Sequence, residues 1–118
     1  MIQNYGILNI SGAAPVPPDA FIELINEIVD GTTYDPLDLS FHATNTGGPG
    51  SVLVYWRLYD YQSNLLISGS ESFNMATGTD TYSFTGVAYP PVPGAFNYAE
   101  VQIAGGVVET SNPFEISS

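Results

Sequence analysis

Residues Ser51–Tyr61 read S-V-L-V-Y-W-R-L-Y-D-Y, and this stretch decides the fold. Apolar residues recur at every second position, which is the period of a β-strand with one buried face. The face that we expect to be buried carries Val52, Val54, Trp56 and Leu58. The opposite face carries Leu53, Tyr55, Arg57, Tyr59 and Tyr61. The sequence therefore predicts a strand that places Trp56 in the core and tyrosines around the chain's single basic residue on the outside.

Similar β-rich runs follow one another along the chain, separated by turns rich in glycine, proline and asparagine. They are Leu37–Asn45, Ser51–Tyr61, Leu65–Met75, Asp80–Val87, Phe96–Ala104 and Val107–Ile116. Short strands at this spacing predict an all-β fold, and specifically an immunoglobulin-like antiparallel β-sandwich of about seven strands.

The run Phe96–Ala104 has the alternation needed to lie beside Ser51–Tyr61. Its predicted inward residues are Ala99, Val101 and Ile103, and its outward residues are Tyr98, Glu100 and Gln102. If the two strands are neighbours, Arg57 meets Glu100 across the sheet. Phe96 is the position at which this register would break.

The segment Ala20–Asp30 fits two structures. Its apolar spacing matches one face of a helix that Asp19 would cap, whereas its β-branched residues and Asn26, a potential kink, favour two strand halves. We favour the strand, and the helix remains the alternative.

The N-terminal residues 1–18 are expected to form an arm, and residues 19–118 the sandwich. The arm's β-prone part contains Tyr5, Ile7, Leu8 and Ile10, and residues 11–18 (S-G-A-A-P-V-P-P) form a semi-rigid connector. An apolar strand on such a tether can add to the sheet edge of a neighbouring subunit. The alternatives are that it folds back as this domain's own first strand or that it frays.

The charge balance restricts the classes of partner. The chain has one Lys or Arg and twelve Asp or Glu in 118 residues, for a net charge of −11, and it has no cysteine. One cation cannot neutralise a row of phosphates, so we expect no nucleic-acid binding, and anionic membranes are disfavoured for the same reason. No run is apolar enough to span a bilayer, and cysteine chemistry is excluded.

A family resemblance covers about residues 20–116. The sequence from Phe21 to Gly48 ends in N-T-G-G, and P-V-P-G leads into the later strand at Ala95. These turn motifs resemble those of bacterial and archaeal cell-adhesion-related (CARDB-type) immunoglobulin-like domains, and related sandwiches decorate phage particles. The resemblance implies a non-catalytic module, and the family supplies no catalytic residues to transfer.

Motifs that suggest chemistry have simpler explanations. The glycines of T-G-G-P-G (46–50) precede a strand, not a helix with Lys-Ser/Thr, so we interpret them as a turn that needs positive φ and not as a phosphate loop. His42 lacks further metal ligands at a suitable spacing, and the acidic loop Asp30–Asp38 lacks an EF-hand pattern, so solvated carboxylates are favoured over calcium. We predict no catalytic residue, metal or cofactor.

The remaining candidate is a surface of tyrosines around the arginine, predicted to bind a partner through Tyr55, Arg57, Tyr59, Tyr61 and Tyr98. Tyrosine and arginine are enriched at protein–protein hot spots. The expected function is that of a non-catalytic structural protein of a virion, acting as a capsid decoration or tail-associated protein. Its partners would be neighbouring subunits or a capsid or tail protein. The alternative is an extracellular or cell-surface adhesion or carbohydrate-binding module that recognises glycans.

Overall fold

The computed structural model describes residues 16–32, 37–85, 87 and 94–117. Nine strands and no helix occur within these ranges. The strands are β1 (Ala20–Ile25), β2 (Gly31–Thr32), β3 (Ser40–Asn45), β4 (Gly50–Tyr59), β5 (Leu65–Met75), β6 (Gly78–Ser83), β7 (Gly94–Ile103), β8 (Val108–Thr110) and β9 (Phe114–Ser117). This part of the chain contains no helix that is long and apolar enough to cross a membrane.

The strands form two sheets. The smaller has the order β1-β3-β6, and the larger has the order β2-β9-β7-β4-β5, with β8 also paired to β7. All pairings are antiparallel except that of β2 with β9. The two sheets pack face to face, which confirms the predicted all-β sandwich.

The alternation of β4 places one side of the strand in the core, as the sequence predicts. Val54 and Leu58 are fully buried, and Trp56 is 7% exposed. Opposite them, Ala99 and Val101 of β7 are fully buried as well. This buried stripe fixes the register of the larger sheet, because a slip of one residue would turn every core side chain to solvent.

An aromatic cluster fills the space between the sheets. The Phe41 ring lies 5.5 Å from the Phe73 ring and 5.4 Å from the Phe84 ring, measured between centroids. The Trp56 ring adds a 6.2 Å contact with Phe84. Edge-to-face and tilted pairs of this kind contribute about 0.5–1.5 kcal/mol each beyond their buried area.

Two predicted segments differ in length or number from the observed strands. The ambiguous segment is a strand only over Ala20–Ile25, after which the Asn26 amide donates to the Ser40 carbonyl at 2.9 Å. The helix alternative for this segment is wrong, because β1 pairs along its length with β3. The last predicted run, Val107–Ile116, is divided into β8 and β9, which together with the two-residue β2 gives nine segments where about seven were predicted.

The break in register with β4 that was predicted at Phe96 is not observed, and a shift occurs instead in the pairing of β7 with β9. The pairing of β7 with β9 shifts between Gly94 and Asn97, and Phe96 has a φ of 61°. The pairing of β7 with β4 continues without a shift from Tyr98 to Ile103. Phe96 therefore marks a bulge that leaves the contact with β4 intact.

Glycine is needed at Gly47 and Gly48 for space, and not for the positive φ that the sequence predicted. Neither glycine has positive φ; instead, a Cβ at Gly47 would collide with the Pro17 carbonyl oxygen and one at Gly48 with the Val16 carbonyl oxygen. The Gly48 amide donates to the Pro17 carbonyl at 3.2 Å. The glycines thus allow the chain at Val16–Pro18, predicted as part of a connector, to lie directly on the sandwich.

Candidate functional site

The outer face of the larger sheet is formed by the sides of β4 and β7 that point away from the core. Register places Tyr55 opposite Gln102, Arg57 opposite Glu100 and Tyr59 opposite Tyr98. Four of the five residues predicted to bind a partner therefore lie together on two adjacent central strands. We call the set Tyr55, Arg57, Tyr59 and Tyr98 the tyrosine face.

Arg57 is held flat along this face by two side chains of β7. Its Nε donates to the Glu100 Oε1 at 3.0 Å, and its Nη2 donates to the Gln102 Oε1 at 3.1 Å. The predicted Arg57–Glu100 contact is thereby confirmed. The Gln102 Nε2 in turn donates to the Gly106 carbonyl at 2.9 Å. The guanidinium is thus pre-positioned, although such a partly exposed ion pair adds only about 0–1 kcal/mol to stability.

Tyr59 and Tyr98 form a stacked pair at one end of the face. Their ring centroids are 5.2 Å apart and the rings are inclined by 17°. The Tyr98 hydroxyl donates to the Ser63 Oγ at 2.9 Å. The pair is therefore a rigid aromatic platform, and its order does not depend on a ligand.

Tyr55 lies at the other end, beside a shallow groove between β4 and β5. The Tyr55 side chain is 39% exposed and that of Leu53, two residues earlier, is 38% exposed. The groove has a volume of about 220 Å³, and its β5 side is formed by Ser68, Gly69 and Ser70. Small side chains on β5 thus leave Tyr55 accessible from the side as well as from above.

The serines of β5 are the part of this face that the sequence interpretation missed. Ser68, Ser70 and Ser72 pair with Arg57, Tyr55 and Leu53 respectively, and all three are exposed. The alternation in I-S-G-S-E-S-F (67–73) contained the signal, because every second residue is serine. Tyrosine beside serine and glycine is the composition of adaptable binding surfaces such as antibody loops.

Tyr61 lies apart from the tyrosine face. It is 66% exposed in the turn after β4 and not on the strand, so its predicted place on the outward face is wrong. The reason is Asp60, whose Oδ1 accepts the amides of Gln62 and Asn64, both at 2.9 Å, and thereby ends β4.

The other predicted positions form no centre of chemistry in the described part of the chain. The His42 Nδ1 lies 3.2 Å from the Thr81 Oγ1 on the smaller sheet, and Asp38 accepts a hydrogen bond from the Ser40 hydroxyl at 2.8 Å. Among the described residues, no three His, Cys, Asp or Glu side chains are grouped so that they could hold a metal ion. The predicted assembly residues Tyr5, Ile7, Leu8 and Ile10 lie outside the described residues.

The fold and this face define the chain as an all-β sandwich with a tyrosine-lined sheet surface. No protein-family model, no curated protein and no solved structure matches the chain.

Proposed function

We propose that the chain is a non-catalytic structural protein of a virus particle, a capsid decoration or tail-associated protein that acts through protein–protein contacts. The observation that carries the proposal is the tyrosine face, which lies on the central strands β4 and β7. Tyrosine supplies a large contact area at a small entropic cost, because it has only two side-chain torsions. Arg57 is already held by Glu100 and Gln102, so little of its side-chain entropy remains to be lost on binding.

The same proposal includes an immunoglobulin-like topology for the sandwich. The strand order β1-β3-β6 against β2-β9-β7-β4-β5 fits an immunoglobulin-like sandwich, in which β3, β4 and β7 take the places of the second, third and sixth strands. Trp56 then occupies the third strand, where immunoglobulin domains bury a tryptophan. The assignment supports the resemblance to CARDB-type and phage decoration domains.

The class of partner follows from charge. The face carries Arg57 and Glu100 in direct contact, so it is nearly neutral, whereas the whole chain has a net charge of −11. A neutral, aromatic partner surface suits the face, and a phosphate backbone does not. A protein component of the particle has the required chemistry.

The test is mass spectrometry of purified particles of the virus that encodes the chain, followed by a rebinding assay. The chain is expected at a fixed stoichiometry to the main capsid or tail protein, and particles that lack it should bind the purified chain. Tyr55→Ala and Tyr59→Ala should each weaken that binding about tenfold or more, as expected for central aromatic anchors. Tyr61→Ala, outside the face, is the matched control. Absence of the chain from particles, or equal binding by all three variants, would refute the proposal.

A second candidate is an extracellular or cell-surface adhesion or carbohydrate-binding module. The stacked Tyr59–Tyr98 platform favours it, because sugar rings pack on flat aromatic surfaces, and the serine-lined groove beside Tyr55 offers hydroxyls for hydrogen bonds. A glycan array distinguishes the two candidates. Binding that Tyr59→Ala abolishes and Tyr61→Ala preserves would support the carbohydrate module, and a blank array would reject it.

A further inference from the structure

Strand β5 forms one edge of the larger sheet, and the pairing of β4 determines which of its backbone groups point outward from that edge. The Ala104 amide donates to the Leu53 carbonyl at 3.0 Å, so the odd-numbered residues of β4 turn their backbone groups to β7. The even-numbered residues therefore bond to β5, where Val54 faces Glu71 and Trp56 faces Gly69. It follows that the β5 residues between these turn their amides and carbonyls outward, away from β4. They are Ser68, Ser70, Ser72 and Asn74.

The other edges of the described sandwich have an occupied edge-side amide, a break in pairing or a very short strand, and β5 has none of these three features between Ile67 and Met75. On β6 the edge-side amide of Thr81 is occupied by its neighbour Asp80, whose Oδ1 accepts it at 2.8 Å. The pairing of β1 shifts between Ile22 and Leu24, and β2 has only two residues. From Ile67 to Met75, β5 pairs without a shift and contains no proline or lysine. Of the features that block natural edges, this part of β5 contains one inward-facing charge, Glu71, which lies opposite Val54.

The edge-facing residues of β5, which are Ser68, Ser70, Ser72 and Asn74, are uncharged. Glu71 is the single charged side chain in Leu65–Met75, and its carboxylate accepts the Thr85 amide at 3.0 Å and the Thr85 hydroxyl at 3.2 Å. Leu65 and Ile67 are 54% and 36% exposed. The edge is therefore long, nearly neutral and partly apolar.

Residues 1–18 have matching properties. They contain no charged side chain, so the twelve acidic residues and Arg57 all lie in 19–118. The segment Tyr5–Ile10 (Y-G-I-L-N-I) is apolar and has the length of an ordinary strand. A neutral strand can dock on a second copy without adding to the repulsion between two bodies of net charge −11.

We propose that β5 accepts the segment Tyr5–Ile10 of a second copy of this chain as an added strand. The inference rests on the proposed structural role and specifies the acceptor of the arm. The chain is fixed at Val16–Pro18 on the Gly47–Gly48 turn, and the five residues 11–15 span at most about 17 Å when extended. The contact therefore brings the second body close to that end of the sandwich. Ser68, Ser70, Ser72 and Asn74 bond to the arm, and Leu65 and Ile67 gain apolar neighbours.

The test uses two variants of the full chain. Ser70→Pro removes an edge-facing amide without affecting the β4 ladder, and the preceding Gly69 is already in the extended conformation that proline requires. Leu8→Pro interrupts the arm. Ser70→Ala and Leu8→Val are the matched controls, and denaturant unfolding confirms that each variant folds.

Sedimentation velocity of the purified chain over a wide concentration range gives the first result. The full chain and both controls should associate, and each proline variant alone should be monomeric. An equimolar mixture of the two proline variants should form a one-to-one heterodimer, because one supplies an intact arm and the other an intact edge. Hydrogen exchange should show the amides of Ser68, Ser70, Ser72 and Asn74 protected in the complex.

Three results would overturn the inference. The first is a full chain that stays monomeric. The second is association that survives Leu8→Pro, which would indicate that two β5 edges pair with each other. The third is protection of the β5 edge amides in a monomer, which would place the arm on its own sheet. None of these results depends on whether particles contain the chain. Failure here is therefore distinguishable from failure of the proposed virion role.

Discussion

Asn45 joins parts of the chain that are far apart in sequence. It is 1% exposed, and its Oδ1 accepts the amides of Asp19 at 2.9 Å and Gly47 at 3.0 Å. Its Nδ2 donates to the carbonyls of Gly48 at 3.0 Å and Met75 at 3.3 Å. The oxygen and the nitrogen of the Asn45 side-chain amide thus each make two hydrogen bonds. The N-T-G motif is therefore a structural signature, since only an amide side chain can serve two donors and two acceptors here.

Replacing Asn45 by alanine should be strongly destabilising. The substitution removes four hydrogen bonds of a buried side chain, one to the buried Met75 carbonyl and three to partly buried backbone groups, at a cost of about 3 kcal/mol in the free energy of unfolding. Asn74→Ala, on the exposed edge of β5, is the matched control and should change it by less than about 0.5 kcal/mol. Urea denaturation followed by Trp56 fluorescence measures both. Equal midpoints for the two variants would show that the Asn45 bonds contribute nothing net.

At the scale of elements, the pairing of β4 with the edge strand β5 depends on a close approach between a side-chain ring and a backbone. A Cβ at Gly69 would lie 2.7 Å from the Trp56 Cζ2 and 2.8 Å from its Cε2. The Trp56 ring thus lies over the backbone of β5, and glycine is required there for space and not for an unusual φ.

Gly69→Ala should displace the Trp56 ring and destabilise the sandwich. Overpacking of this kind costs about 1–3 kcal/mol. Ser70→Ala, the neighbouring position with its side chain on the opposite face, should leave stability nearly unchanged. A red shift of tryptophan emission, together with a lower urea midpoint, is the expected result for Gly69→Ala alone. An unshifted emission spectrum would mean that the strand moves and not the ring.

The turn between β4 and β5 supports the tyrosine platform. The pKa of the exposed Asp60 lies below its ordinary value. The largest cause is the hydrogen bond from the Asn64 backbone amide, followed by the bond from the Asn64 side-chain amide, and the Gln62 amide contributes further. The same turn carries Ser63, with a φ of 64°, whose hydroxyl accepts the bond from Tyr98. Ionised Asp60 therefore orders the residue that holds the platform.

This linkage predicts the sign of a pH effect. Because the pKa of Asp60 is lower in the folded chain than in the unfolded chain, its carboxylate stabilises the fold at pH values above the unfolded pKa of about 3.9. That contribution disappears as the pH falls through the lower, folded pKa. NMR titration of the Asp60 carboxyl should give a midpoint below the ordinary aspartate value, and the Tyr98 ring resonances should shift with it. Tyr98 signals that do not follow Asp60 would refute the coupling.

Features that depend on local sequence could be predicted for this fold, whereas contacts between distant segments could not. The inward and outward residues of β4 and the Arg57–Glu100 contact followed from the period of two, which is a local property of the chain. The Gly69–Trp56 contact and the docking of Val16–Pro18 on Gly47–Gly48 join distant segments, so no local pattern indicates them. The segment Ala20–Asp30 is ambiguous because its apolar spacing fits both periods, and the pairing of Ala20–Ile25 with β3 resolves it.

At the scale of the whole molecule, uncompensated negative charge opposes the packing of the sandwich. Twelve carboxylates face a single arginine, and Arg57 is already paired with Glu100. In the described residues the other carboxylates therefore repel one another without a cation to offset them. The Debye length is longest at low ionic strength, so the favourable free energy of packing the core must there offset the strongest repulsion.

Salt should therefore raise the melting temperature, with most of the increase below about 0.1–0.2 M, where screening shortens the Debye length to about 8–10 Å. The exposed Glu27 offers a matched pair of variants: Glu27→Gln removes one negative charge, and Glu27→Lys reverses it. Both should melt higher than the parent at low salt, Glu27→Lys the more so, and the differences should shrink in high salt. Sucrose at equal osmolarity controls for solvent exclusion. A melting temperature that is the same at low and high sodium chloride would mean that the carboxylates are too far apart to interact, and the charge argument would fail.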